Sequence, residues 1–166
     1  MIAILLNDAS FEQDIRELLM AFYPGETFTH KEEEAGEAEL IVRGVRDGNS
    51  FSLDVTPVKK EAVHFALIYP DFSNRFETKN EIKQTLYRLL SAQTGRELPW
   101  GTLTGIRPTK IALTKLYDGW TDEQIETYMR ETYFTSKEKI DLSIDVAERE
   151  RRLLSTIDYE NGYSLY

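Results

Sequence analysis

The chain has 166 residues, of which 41% are apolar and 30% charged, as is typical of a globular domain with its own core. Its net charge of −9 argues against general binding to nucleic-acid phosphates, and its lack of cysteine excludes disulfides, zinc thiolates and cysteine-ligated Fe–S clusters within this sequence. The longest apolar run, residues 1–6, is too short to span a membrane and follows no basic segment, so we expect a cytoplasmic protein.

The first 77 residues predict a small α/β subdomain. Residues 1–6 have the pattern of a buried strand, and apolar residues then follow helical spacing up to a stop at Pro24-Gly25. Alternating apolar residues on both sides of Asp47-Gly48 predict a β-hairpin. Residues 63–69 are apolar and fit a strand or a helix. The acidic run 31–39 is interpreted as a solvated loop or sheet edge.

Residues 78–157 predict a helical subdomain. Thr78 and Glu81 have the spacing of a capping box, which predicts a helix that starts there and ends at Gly95. Three later helix starts are expected at Pro108, at Thr121 with Gln124, and at Ser136. The predicted fold class is therefore α+β, a small sheet with a helix followed by a helical part.

The sequence LPWGTLTGIRPTK, residues 98–110 and here the 98–110 segment, contains the candidate binding residues. It leads into the helix predicted at 108–117, and helix N-termini attract anions because their first N–H groups are unpaired. Residues 98–117 contain no Asp or Glu, whereas Arg107, Lys110 and Lys115 are cationic. The spacing is neither a Walker motif nor a GxGxxG fingerprint. The candidate residues are Trp100, Thr102, Thr104, Gly105, Arg107, Thr109 and Lys110.

Two interpretations of the 98–110 segment remain open from the residues alone. It binds a carboxylate or phosphate, or it is structural, in which case Trp100 packs and Arg107 holds a neighbouring carboxylate. The sequence predicts no catalytic residue, because its serines have no partner pattern of histidine and acid. It also predicts no metal site, because His30 and His64, the two histidines, have no second ligand at metal spacing.

Several stretches resemble coproporphyrinogen dehydrogenase, the oxygen-independent coproporphyrinogen III oxidase-like branch of the radical S-adenosylmethionine (SAM) proteins. The resemblance covers residues 80–166 well and 1–77 only in general pattern. It is most specific in the 98–110 segment, and it includes YRLLS at residues 87–91 and Thr94-Gly95. Weaker matches follow at Ser136, Glu138, Lys139, Leu142, Ala147 and Glu150.

The resemblance implies that the chemistry lies outside this sequence. In that family a comparable region precedes a barrel whose CxxxCxxC loop holds a [4Fe–4S] cluster that binds SAM. A 5′-deoxyadenosyl radical then starts oxidative decarboxylation of substrate propionates, a step of haem biosynthesis. Residues 158–166 are expected to begin the first barrel strand. The full-length protein is then a radical SAM oxidoreductase that binds [4Fe–4S] and SAM, whereas this chain needs no cofactor and is not catalytic alone.

The partner implied for this chain is its own C-terminal radical SAM domain. We expect the 98–110 segment to dock on that barrel, and a porphyrinogen carboxylate or the SAM carboxylate is the competing ligand. Docking predicts an exposed apolar patch around Trp100 and the last helix, with a tendency to self-associate. The alternative function is a stand-alone adaptor that binds an anion, a nucleotide or RNA, although the acidity of the chain counts against RNA.

Overall fold

The computed structural model describes residues 1–58, 63–105 and 107–155, and within those ranges it has five strands and five α-helices. The strands are β1 (Ile2–Leu6), β2 (Phe28–Thr29), β3 (Leu40–Asp47), β4 (Ser50–Pro57) and β5 (His64–Ile68). The α-helices are α1 (Glu12–Phe22), α2 (Arg75–Thr94), α3 (Pro108–Tyr117), α4 (Asp122–Tyr133) and α5 (Lys137–Leu154). Short 3-10 helices cover Ala9–Phe11 and Glu32–Glu37. The predicted α+β class is confirmed.

The sheet has the order β2-β1-β3-β4-β5. Strand β1 runs parallel to both of its neighbours, and β3, β4 and β5 form an antiparallel meander. The hairpin predicted around Asp47-Gly48 is confirmed, and because Asp47 pairs with Ser50 its two loop residues are Gly48 and Asn49. The ambiguous stretch 63–69 contains strand β5.

Helices α1 and α2 cover one face of the sheet and form the larger hydrophobic core with it. Strand residues that point to this face are apolar and alternate with polar ones, as a half-buried sheet requires. The fully buried side chains here include Ile2, Ile4, Ile15, Leu18, Leu19, Phe22, Phe51, Leu53, Ile82, Leu86 and Leu90. Each contributes on the order of 1.5–3 kcal/mol through burial. The apolar face of α2 therefore packs on the sheet.

Helices α3, α4 and α5 form a second hydrophobic core. Helix α5 packs mainly on α3, and the buried residues include Leu113, Ile125, Met129, Ile140, Ile144 and Ala147. The division between residues 77 and 78 stays a prediction of the sequence. Residues 158–166, where we expect the start of a barrel strand, lie outside the described residues.

Most of the predicted helix ends are confirmed. Helix α4 starts with a complete capping box, in which Thr121 and Gln124 each accept a backbone N–H of the other. Gly95 caps the end of α2, and Pro108 is the first residue of α3. Ser136 holds the N-cap position of α5, although its side chain makes no capping hydrogen bond.

The capping box predicted at Thr78 and Glu81 is wrong. Helix α2 begins at Arg75, and its N-cap is Asn74, whose side chain accepts the N–H of Glu77. Thr78 lies inside the first turn, and its Oγ1 donates to the carbonyl oxygen of Asp71 at 2.7 Å. Asparagine is as good an N-cap as threonine. The helix therefore begins after Asn74, and Thr78 lies within it.

The acidic run 31–39 is more ordered than predicted. Its Glu32–Glu37 helix lies over the second face of the sheet, where Ala35 and Ala38 are buried against Ala3 of β1. The glutamates point outward, and Glu32 pairs with Arg43 of β3. Because Ala35 and Ala38 are small and three residues apart, this segment can pack closely on the second face of the sheet. None of the described helices is long and apolar enough to cross a membrane.

Candidate functional site

The first part of the 98–110 segment is hydrogen-bonded to the connection between α4 and α5, and we call these contacts the clamp. The N–H of Thr102 donates to the carbonyl oxygen of Tyr133 at 2.7 Å, and its Oγ1 donates to the same oxygen at 3.3 Å. The N–H of Ser136 donates to the carbonyl oxygen of Pro99 at 2.9 Å. Thr102 is buried as a result. These hydrogen bonds hold the first part of the segment against the helical core.

Gly101 makes this clamp possible. Its φ of 57° lies in the left-handed region, and a β-carbon at this position would lie 1.9 Å from the carbonyl oxygen of Tyr133. Trp100 beside it is half-buried against the helical core, and the ammonium of Lys139 lies 5.8 Å from the ring centroid. Both residues therefore make internal contacts.

Thr104 joins the segment to the sheet core through a polar cluster of three side chains. The ammonium of Lys83, on α2, donates to Thr104 Oγ1 at 2.7 Å, and that hydroxyl donates to Glu17 Oε2, on α1, at 3.2 Å. Gly105 lies directly against the same carboxylate, so a β-carbon there would come within 2.8 Å of Oε2. The cluster connects three parts of the chain that are far apart in sequence.

Lys83 is only 5% exposed. Burial lowers the pKa of its ammonium below the usual 10.5, and the nearby carboxylates of Asp14 and Glu17 oppose this effect. The hydrogen bond to Thr104 satisfies one donor of the buried group, as buried charge requires. The cluster is therefore a structural connection.

The end of the segment forms the start of α3. Arg107 holds the N-cap position without a side-chain capping bond, and its guanidinium pairs with Glu150 of α5 at 3.3 Å. Thr109 is half-buried, and Lys110 is exposed on the first turn. Lys110 has no ion-pair partner among the residues that the structure describes. Ile106 lies outside the described residues.

A cleft of about 270 Å³, here the cationic cleft, opens beside this first turn. Its walls combine three cations with three aromatic rings: Arg107, Lys110, Lys115, Phe76, Tyr128 and Tyr133. Lys115 lies over the rings of Trp120 and Tyr128, with its ammonium 4.2 Å and 4.9 Å from their centroids. The hydroxyls of Tyr128 and Tyr133 lie 3.4 Å apart, and burial raises the pKa of Tyr133 above 10.

The structure divides six of the seven predicted site residues into two groups, and the seventh, Thr109, is half-buried and does not line the cationic cleft. Trp100, Thr102, Thr104 and Gly105 make contacts within the fold, whereas Arg107 and Lys110 line the cationic cleft. Whether any of them binds a ligand or a docking partner stays a prediction. Three further residues at the segment and the cleft, Glu17, Lys83 and Phe76, are not among the residues predicted from the sequence. One signal for Lys83 was available, since it lies three and seven residues before Leu86 and Leu90 and so on the apolar face of α2.

The chain's residues do not fit an Fe–S cluster, which requires thiolates that this sequence lacks. Among the described residues, no group of three or more His, Asp or Glu side chains is arranged to hold a metal ion. His30 instead lies 3.2 Å from the carbonyl oxygen of Ile4 and 3.4 Å from the carboxylate of Glu12.

Comparison with known proteins supports the resemblance. The chain is related to the N-terminal region of the oxygen-independent coproporphyrinogen-III oxidase-like proteins. One relative is the oxygen-independent coproporphyrinogen-III oxidase-like protein HemZ of Bacillus subtilis (strain 168), which is 35% identical over 98 residues. The match covers 57% of this chain and 19% of the HemZ protein, so the chain corresponds to a small part of that relative. No family model matches the chain, and no solved structure matches it significantly.

Proposed function

We propose that this chain is an accessory domain of a longer oxygen-independent coproporphyrinogen-III oxidase-like protein, and that it packs against a catalytic radical SAM barrel. The similarity to the HemZ protein carries the proposal, because it covers 19% of that relative and leaves most of the relative's length outside the match. The composition agrees with it, since a sequence without cysteine cannot ligate the cluster on which radical SAM chemistry depends. The barrel would supply the chemistry, and this domain would contribute shape and charge.

The outer face of α5 supports packing on another domain. Ile140, Ile144 and Ala147 are buried against the helical core, whereas Leu142 and Val146 are 46% and 37% exposed. These two side chains are four residues apart, so they lie on one side of the helix and form an apolar stripe. The sequence predicts such a patch on the last helix and around Trp100. Since Trp100 is half-buried against this domain's own core, we assign the docking surface to α5.

The docking proposal is tested by association of the domain with the separately produced remainder of its natural protein. In sedimentation velocity, we expect the wild-type domain to bind that remainder, and we expect the double variant Leu142→Asp, Val146→Asp to lose binding. The matched control is Met20→Asp on α1, which also places a charge at an exposed apolar residue, here 51% exposed. Equal binding by the two variants, or no binding by the wild type, contradicts the proposal.

The alternative of a stand-alone adaptor stays a prediction. A gel shift with generic RNA at low salt tests its RNA-binding form, since nucleic-acid binding through phosphates strengthens as salt falls. A shift at micromolar protein would favour the adaptor over the accessory domain. We expect none from a chain with a net charge of −9.

A further inference from the structure

The cationic cleft concentrates positive charge in an acidic protein. Arg107, Lys110 and Lys115 line it, and no carboxylate is among its lining residues. Glu150 of α5, which is not among the lining residues, pairs with Arg107 at 3.3 Å. Lys115 stacks on aromatic rings instead of meeting a carboxylate. A cleft lined by charge of one sign raises the local concentration of the opposite ion.

The same cleft has an apolar wall. Phe76, on the first turn of α2, is 54% exposed although it is a large aromatic side chain, and it faces the cleft together with Ile111 and the ring of Tyr128. Exposed aromatic faces in a concave site are the usual partners of flat ligand rings. Cations and apolar surface thus lie within one small volume.

We infer that the cationic cleft binds a small ligand in which one flat apolar ring carries one anionic group, a carboxylate or a phosphate. The ring packs between Phe76 and Tyr128, and the anionic group meets Lys110 and Lys115. A lysine ammonium is a point charge that suits both anions. The volume of about 270 Å³ lies just below the usual range of ligand pockets, so it accepts one substituted ring or the edge of a larger molecule. This inference does not depend on docking to a barrel.

Titration of the 166-residue chain with simple probes, followed by backbone amide shifts in NMR, tests the inference. The probes are phenyl phosphate and benzoate; inorganic phosphate and acetate represent their anionic groups alone, and benzyl alcohol represents the ring alone. We expect shifts confined to residues 107–115 and to the neighbourhoods of Phe76 and Tyr128. At least one probe should bind more tightly than either of its parts, and the stronger of the two probes identifies the anion.

Variants connect the binding to the named side chains. Lys110→Gln is expected to weaken probe binding about fivefold, as for one exposed charge pair, and Phe76→Ala to weaken it to a similar extent. The matched control is Lys137→Gln, which removes the same charge from α5, where Lys137 pairs with Glu126 and Asp141. The control should bind like the wild type.

Two results would overturn the inference. The first is that inorganic phosphate binds as tightly as phenyl phosphate and Phe76→Ala has no effect, which would show that the aromatic wall does not contribute to binding. Absence of local shifts up to about 10 mM probe, where a site with millimolar Kd is nearly saturated, would show that the cleft is not a binding site.

Discussion

Replacement of Gly101 by alanine tests the clamp that holds the 98–110 segment on the connection between α4 and α5. The added β-carbon meets three backbone atoms at once, at 1.9 Å from Tyr133 O, 2.6 Å from Phe134 C and 2.7 Å from Phe134 O. No rotamer change relieves such a clash, because backbone atoms must move. The clamp residues must then separate, which breaks the 2.7 Å hydrogen bond from Thr102 to Tyr133.

The expected loss of stability has two parts. Alanine at a φ of 57° costs about 1 kcal/mol in backbone strain, and the broken, buried hydrogen bond costs about 1–3 kcal/mol more. We therefore expect Gly101→Ala to lower the free energy of unfolding by about 2–4 kcal/mol. Gly95 provides the matched control, because its φ is 67° and no atom lies within 4 Å of an added β-carbon. Gly95→Ala should cost about 1 kcal/mol.

Urea unfolding of both variants, followed by circular dichroism, measures this difference. We expect Gly101→Ala to lower the urea midpoint more than Gly95→Ala does, with the m-value unchanged in both variants. If the two substitutions lower the unfolding free energy equally, the 98–110 segment can move without loss and does not act as a clamp.

Three further predictions concern buried or strained side chains. Because the folded state lowers the pKa of Lys83, the unfolded state binds more protons between that lowered pKa and 10.5, and Lys83 contributes a rise in stability with pH across this window; Lys83→Met should remove that contribution in urea unfolding at several pH values below 10. Burial and the Tyr128 hydroxyl raise the pKa of Tyr133 above 10, so stability should fall as the pH passes 10, and a fall just as steep in Tyr133→Phe would be contrary to this account. Phe134 has a φ of 58°, so Phe134→Gly should be more stable than Phe134→Ala by about 1 kcal/mol, and the reverse order in thermal unfolding would show that strain is unimportant there.

The local structure of this protein follows closely from its sequence. The hairpin at Gly48, the capping box at Thr121 and the cap at Gly95 were predictable because each depends on residues adjacent in the chain. The start of α2 was mispredicted because Asn74 and Thr78 are both good caps, and sequence alone does not decide between two caps one turn apart.

The site was less predictable because its contacts join distant residues. The residues that hold Thr104 are Lys83 and Glu17, which are 21 and 87 positions away from it. The cleft wall contributed by Phe76 depends on where the start of α2 lies relative to α3 and α4, which no local pattern specifies. The cations at Arg107 and Lys110 were recognisable, since a run without acids stands out in a chain with 29 Asp and Glu residues.

We propose above all that this chain belongs to a longer protein that contains the catalytic apparatus. The most direct measurement is the intact mass of the native protein, together with the sequence of its transcript past the codon for Tyr166. The account predicts a mass well above 19.3 kDa and a continuation that contains clustered cysteines. A native protein of 19.3 kDa that ends at Tyr166 would contradict it.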